Sequence, residues 1–353
     1  MRRSKKTFAG LVAALVLGVV AVSALGHTTW RVTIIEPDGG QHVYDVSAES
    51  EDAAKDLAWR QLRAASTTSA VESTTSCRVT AGNDPFAVPV PSCALVAQDT
   101  AEDSDPLPFW GSIQCESSSR YTYLTSGGDP HPAAGGSPQG NSAYRRLTVL
   151  DGDDFYGERC GLGENDWRSG PTAFYHEGNH RLTYISYKLG DDYPLARSDW
   201  QVVMQMKQTQ PSANGGGTPV ISLEARNGRW NLIQSDSAGR SSDTHVLWST
   251  PAETGVWTRF AFDVLYSQDP EVGSIQLSVD LNGDDDSLDP GEQSPTFQTY
   301  TLKYETTDSD YLNAGDSIPS HLRGGVYHDS SIACPSTGVC SDGIDNVQVV
   351  RAG

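Results

Sequence analysis

The sequence predicts an all-β protein: a two-sheet antiparallel sandwich over residues 107–353, preceded by a small β-β-α appendage at 27–66. Three observations predict it. From Leu107 on, run after run alternates apolar and polar residues, as in HRLTYISYKL, WQVVMQMKQTQ, WTRFAFDVLYS and GSIQLSVDLNG; that is the period of a strand with one buried face. Turn residues separate the runs, and Asn227-Gly228, between TPVISLEAR and RWNLIQS, is a hairpin signal. No long amphipathic helix interrupts them, and many strands joined by polar turns pack as two sheets.

The elements follow in order. The chain opens on MRRSKK, then the apolar run FAGLVAALVLGVVAVSAL, then Ala24-Leu25-Gly26. A basic stretch, an apolar core and small residues make a secretory signal peptide, 1–26, cleaved near Gly26. The alternative is an uncleaved anchor, since about 18 apolar residues can also span a bilayer. No other long apolar run follows, so a secreted protein without membrane contact is expected after cleavage. Residues 27–66 hold two strand-like runs around Pro37-Asp38-Gly39-Gly40, then SAESEDAAKDLAWRQLRAAS, with acids first and arginines last. That polarity suits a helix dipole. Residues 67–106 read as a Ser/Thr/Pro-rich linker that begins TTSAVESTTS.

Six cysteines lie beyond the signal. An even number in an exported chain reads as disulfides, paired by locality as Cys77–Cys93, Cys115–Cys160 and Cys334–Cys340. No C-x-x-C or nearby His pair supports zinc. The net charge of −20 argues against nucleic acid as a partner, but a local cationic groove can exist on an acidic protein.

Side-chain faces narrow the function. In SDWQVVMQMKQTQP, Trp200, Val202, Met204 and Met206 fall on one side, and Gln201, Val203, Gln205 and Lys207 on the other. Phe260, Phe262 and Val264 share a side, as do Ile275, Leu277, Val279 and Leu281. In SHLRGGVYHDS, Leu322 and Val326 point one way and His321, Arg323 and Tyr327 the other. Two strands therefore put a cation opposite the core, Lys207 and Arg323, each beside a hydrogen-bonding partner, Gln205 and Tyr327. Gly324-Gly325 marks close approach by another group. The plain reading is a solvated sheet face; the sharper one is the floor of a groove that grips something anionic.

The stretches DGDDFYGERCGLGEND, YHEGNHRLTYISYKL, MQMKQTQP, GVWTRFAFDVLYS and LRGGVYHDSS, in this order over residues 109–350, resemble the heparin lyase I-like polysaccharide lyases, relatives in fold of the alginate and glucuronan lyases. The resemblance implies a β-jelly roll, a concanavalin A-like sandwich whose concave face is the groove. It also implies β-elimination on a uronate-containing polysaccharide. That chemistry needs the C6 carboxylate neutralised so that the C5 proton can leave, a base for that proton and an acid for the departing O4. Alginate lyases take Gln and His from a Gln-x-His strand, a cation and Tyr from a Lys-Ala-Gly-Val-Tyr strand, and Arg from an Arg-x-Glu-Leu strand. By that resemblance Gln205 matches the Gln, Arg323 and Tyr327 in RGGVY match the cation and Tyr, and Arg159 in RCGL matches the Arg.

Two positions depart from the pattern. Lys207 stands where the His would be, and Gly161 where the Glu would be. An ordinary lysine, with a pKa of about 10.4, is a poor base at neutral pH. So Lys207 joins Gln205 and Arg323 in neutralising the carboxylate. Tyr327 becomes base and then acid, which suffices for a syn elimination, with Arg323 and Lys207 as flanking cations. His176, His180, His321 and His328 are spare bases, His180 and His321 foremost, and His180, His321 and Arg181 are substrate-binding candidates. Arg159, beside Cys160, has a plain reading as the lining of a disulfide corner. Trp167, Trp200, Trp230 and Trp248 are sugar platforms or core.

One loop stands apart. In DLNGDDDSLDPGE, Asp280, Asn282, Asp284, Asp286 and Asp289 alternate oxygens as a calcium loop does. Its sixth position is Asp285 instead of Gly, and it follows a strand, so a structural calcium ion or a solvated turn are both open. No cofactor is expected for catalysis. The partner expected is an anionic, uronate-containing polysaccharide, bound by a monomer. A non-catalytic carbohydrate-binding jelly roll is the alternative. A glycoside hydrolase ranks third, because no Glu-x-Asp-x-x-Glu run is present.

Overall fold

The alternating runs sort into two stacked sheets in the computed structural model, which describes residues 15–24, 27–35, 41–48, 82, 84–87, 94–102, 104–130, 142–163, 174–208, 218–235, 243–305, 314–334 and 339–352. The chain divides into two units, Met1–Ser73 and Thr74–Gly353. In the first, β1 (Leu15–Ala24), β2 (His27–Ile35) and β3 (Gln41–Ala48) form an antiparallel three-stranded sheet. β2 and β3 are the two strands expected at 27–66, and β1 lies within the run read as a signal peptide. The helix expected after them falls outside the described residues.

In the second unit, one sheet runs, in spatial order, β13 (Thr244–Pro251), β12 (Arg229–Ser235), β11 (Ile221–Arg226), β10 (Gln201–Gln208), β19 (Ser320–His328), β8 (Arg159–Gly163) and β5 (Ser112–Cys115). The other runs β16 (Phe297–Gln298), β15 (Ser274–Asp280), β14 (Trp257–Leu265), β9 (His180–Leu189), β20 (Val339–Arg351), β7 (Tyr144–Leu150) and β6 (Tyr121–Leu124), with β4 (Leu95–Asp99) also paired to β20. A short ribbon, β17 (Lys303–Tyr304) with β18 (Ser317–Ile318), completes the strands. This is the antiparallel jelly roll the sequence implied. Asn227 and Gly228 both take positive φ (55° and 71°) between β11 and β12, as a tight hairpin turn requires.

Met204, Met206, Phe260, Phe262, Leu277 and Val326 are each at most 1% exposed and share one core cluster between the sheets. Burying each such side chain stabilises the fold by roughly 1.5–3 kcal/mol. Because strand faces alternate, this fixes Gln205, Lys207, Arg323 and Tyr327 on the outward side of the seven-stranded sheet. Cys115–Cys160 ties β5 to β8, and Cys334–Cys340 closes the approach to β20. Cys77 and Cys93 fall outside the described residues.

Two expectations need correction. The segment read as linker, 67–106, is in part structural. β4 pairs with β20, Phe86 and Ala94 pack with Leu182, Tyr184, Ala261 and Val350, and Asp99 accepts two hydrogen bonds from Arg145 (2.7 Å each). Its Pro- and Asp-rich composition hid one short strand. The second correction concerns β10. Strict alternation put Trp200 and Val202 in the core row, but the register against β11 shifts between Val202↔Glu224 and Met204↔Leu223. This bulge turns both Val203 and Met204 inward. Val202 then lies directly opposite Tyr327, and Trp200 meets the Tyr327 ring edge-on at 4.8 Å between centroids. The outward face therefore gains a tryptophan that parity had assigned to the core.

Candidate active site

Three neighbouring strands build the site. Gln205 on β10 lies opposite Arg323 on β19, Lys207 lies opposite His321, and Tyr327 lies opposite Arg159 on β8. Directly opposed residues share a face, so all six converge on one surface. Gln114, Arg159, Gly161, Gln205, Arg323 and Tyr327 line an open recess there. Its floor is bare backbone between the cations. Gly161 lies opposite Gly325, whose φ is 139° and whose added Cβ would lie 2.3 Å from the Cys160 carbonyl oxygen. Only glycine fits that position.

The charges on this sheet are lopsided. Its strands carry Arg159, Lys207, Arg226, Arg229 and Arg323 against one acid, Glu224, in a protein of net charge −20. Glu224 is taken by Arg226 at 2.8 Å. Among the described residues, no carboxylate lies within ion-pair distance of Arg159 or Arg323. Gly161, where the lyase pattern has Glu, therefore leaves both arginines open to a ligand.

Burial and mutual repulsion register in the pKa values. Lys207 is pulled down to about 7, chiefly by burial and then by Arg323, Lys303 and Arg159. Arg323 falls to about 10, again chiefly by burial and then by Arg159, and stays charged at neutral pH. Burial lowers Arg159 as well. Its guanidinium carbon sits 4.3 Å from the Tyr327 ring centroid. This crowd of desolvated cations is unfavourable by itself, and an anion relieves it.

His321 has a different role from the one expected. It is 1% exposed, and burial, then Arg323 and Lys207, hold its pKa well below the usual range. Its Nε2 accepts from Arg323 Nε at 2.9 Å, which leaves the hydrogen on Nδ1. His321 is thus a neutral acceptor that orients Arg323. It does so from two residues away on the same strand, where the alternate-residue spacing could have been read.

Lys207 and His321 flank the recess without lining it, and the remaining candidates lie elsewhere. His180 and Arg181 are on β9, in the other sheet. His180 Nε2 pairs with Asp263 Oδ1 at 2.5 Å, and Arg181 donates to the His180 carbonyl. The pattern YHEGNHR carried no signal of which sheet would hold it. His176 precedes the same strand, and His328 is buried on the core side with Nδ1 3.0 Å from the Asp329 carbonyl. Trp230 is core, Trp248 packs partly against it, and Trp167 lies outside the described residues.

The acidic loop is equally distant from the recess strands in sequence and topology, at the end of β15. Its oxygens cap its own turns: Asp280 accepts from Gly283 N and Asp285 N, Asp284 from Asp286 N, and Asp286 from Leu288 N. Asn282 donates to both Asp284 and Asp289 at 3.0 Å. Among the described residues, no three of these carboxylates bring oxygens within 4.8 Å of one another.

Several solved structures are similar to the chain. Alginate lyase A1-II′ shares 11% identity over 67% of this chain and 96% of its own, with a TM-score of 0.41. Alginate lyase PA1167 from Pseudomonas aeruginosa shares 12% over 59% of this chain and 82% of its own (TM-score 0.36). Endo-1,3-beta-glucanase from Streptomyces sioyaensis shares 13% over 75% and 99% (TM-score 0.37). No curated protein matches the chain. Likeness of that degree spans two chemistries and does not choose between them. The family match does, because the polysaccharide lyase model covers residues 136–348 and so takes in Arg159, Gln205, Lys207, Arg323 and Tyr327. The chain belongs to the polysaccharide lyase family.

Proposed function

We propose that the protein is a secreted lyase that cleaves a uronate-containing polysaccharide by β-elimination on the outward face of the seven-stranded sheet. One observation carries the reading: five cations and a single, already paired acid on the strands of an otherwise acidic protein. A polyanion is the ligand such a face suits. The same scarcity of acids argues against a hydrolase, which needs two carboxylates across the bond. In the proposed reaction Arg323, Arg159 and Gln205 hold the C6 carboxylate and stabilise the charge that gathers there as the C5 proton leaves. The Tyr327 oxygen, entering the step deprotonated, takes that proton. The C4–O4 bond breaks, C4=C5 forms, and Tyr327 returns the proton to O4.

Lys207 has two readings. As a cation it adds to the carboxylate clamp. Its pKa near 7 also leaves it partly neutral at neutral pH, the state a base requires, so it can itself take the C5 proton and leave Tyr327 as the acid. The heparin lyase I-like affinity, export through residues 1–26 and monomeric state belong to the same proposal. Calcium at Asp280–Asp289 is a separate proposal; the ion would have to draw those carboxylates away from the N–H groups they cap.

The test is incubation of the mature protein with polyglucuronate, alginate and heparin, followed by product analysis. A product absorbing in the ultraviolet through a C4=C5 uronate is expected. Saturated reducing ends would indicate hydrolysis instead. Retention of a polymer without cleavage would make the protein a binding jelly roll.

A further inference from the structure

The turn that delivers Arg159 to the recess carries an aromatic ring that folding does not account for. Asp154–Gly157 is closed by Gly157 N donating to Asp154 Oδ1 (2.9 Å) and Phe155 N donating to the Gly157 carbonyl (3.1 Å). Within it Tyr156 has φ 55°, a left-handed conformation strained for a bulky side chain. Its ring gains little in return, for Tyr156 is 81% exposed, the most of any large apolar side chain among the described residues. Yet the turn is tied to the site on two sides. Arg159 Nη2 donates to the Tyr156 carbonyl, and the Arg159 guanidinium carbon is 6.0 Å from the Tyr156 ring centroid. Gly157 packs so closely on Tyr327 that an added Cβ would lie 3.1 Å from its ring. Phe155 braces Tyr156 edge-on at 5.3 Å between centroids. From sheet to rim the order is Tyr327, Arg159, Tyr156.

We propose that Tyr156 is a substrate-positioning residue whose exposed ring face stacks on the sugar in the subsite adjoining the one at Tyr327. The inference rests on the reading above, that a uronate chain lies across this recess. A pyranose ring presents C–H bonds on its faces, and their partial positive charge suits the negative face of an aromatic ring. The carboxylate of the reacting sugar would meanwhile meet Arg159, which the same turn holds by its carbonyl. An exposed, strained aromatic, useless to the core and pinned to a catalytic arginine, is the arrangement this role needs.

The experiment uses the full mature protein and whichever of polyglucuronate, alginate or heparin the wild type cleaves. Tyr156→Ala is expected to raise KM about three- to tenfold, the worth of one ring contact, with a smaller change in kcat. Tyr156→Trp should recover most of the affinity. Tyr156→Gly should bind as poorly as the alanine variant while melting no lower than wild type, because glycine relieves the backbone. An unchanged KM in Tyr156→Ala overturns the inference and leaves the lyase reading intact. So does a fall in melting temperature in both the alanine and glycine variants, which would make the ring structural. A wild type that neither cleaves nor retains any of the three polymers overturns the lyase reading, and this inference with it.

Discussion

The outward faces of the two sheets differ in what their charges do. On the eight-stranded sheet, counting β4, several charges are paired and the face is partly roofed: His180 pairs with Asp263, Arg259 with Asp285 and Asp280, and Phe86 and Ala94 cover Leu182 and Tyr184, while burial pushes Asp345 up to about 8. On the seven-stranded sheet, Arg159 and Arg323 stand without a carboxylate among the described residues, Lys207 is pulled down to about 7, and bare glycine backbone lies between them. Folding alone favours the first arrangement. A protein keeps the second where a ligand supplies the missing charge, and perturbed titration clustered in a recess marks a functional site.

The largest effect expected from this contrast is at Tyr327. Tyr327→Phe keeps the ring between Trp200 and Arg159 and deletes the oxygen, so kcat should fall about 10²- to 10⁴-fold with little change in binding. A fully active variant would move the proton to another group, and Lys207 is the next to replace. Gln205→Ala should cost less, within about 10²–10³-fold in kcat, by removing one donor to the charged transition state. A change confined to KM would make Gln205 a binding residue only.

A smaller effect, but a sharper one, is the pH dependence set by Lys207. If its charge clamps the carboxylate, kcat/KM falls as pH rises through about 7, and Lys207→Arg removes that limb. If it is the base, kcat/KM rises through the same window, and Lys207→Arg is inactive. Stability gives an independent check. Between about 7 and the ordinary value of 10.5 the unfolded chain holds a proton on Lys207 that the folded chain has released. Stability contributed by this group therefore increases with pH over that window and falls as pH drops through 7. Lys207→Met should flatten the slope, seen as melting temperature against pH.

The smallest effect expected is that of calcium. Because the loop after β15 already caps its own N–H groups, binding would exchange bonds instead of filling a void, and millimolar calcium should raise the melting temperature only slightly. No rise, and no fall on chelation, would leave a solvated turn.

Much of this was legible in the sequence because strand parity is a local property. Met204, Phe260, Leu277 and Val326 went to the core, and Gln205, Lys207, Arg323 and Tyr327 to the opposite face, on alternation alone. Parity fails where a bulge adds a residue, and Trp200 and Val202 changed sides for that reason. What no local pattern carries is which sheet a strand joins. His180 and Arg181 looked as good as His321 until β9 took its place in the other sheet. The pKa of Lys207 was likewise out of reach, since burial and the approach of Arg323 and Arg159 arise from strands far apart in the chain.

If the outward face of the seven-stranded sheet is the site, the reaction belongs to that face and not to the other. Initial rates of unsaturated uronate formation should therefore be measured side by side for Arg323→Met and His180→Gln, each checked for an unchanged melting temperature. A loss of at least about 10²-fold is expected for Arg323→Met, and wild-type rates for His180→Gln. Equal losses, or a loss at His180 alone, would contradict it.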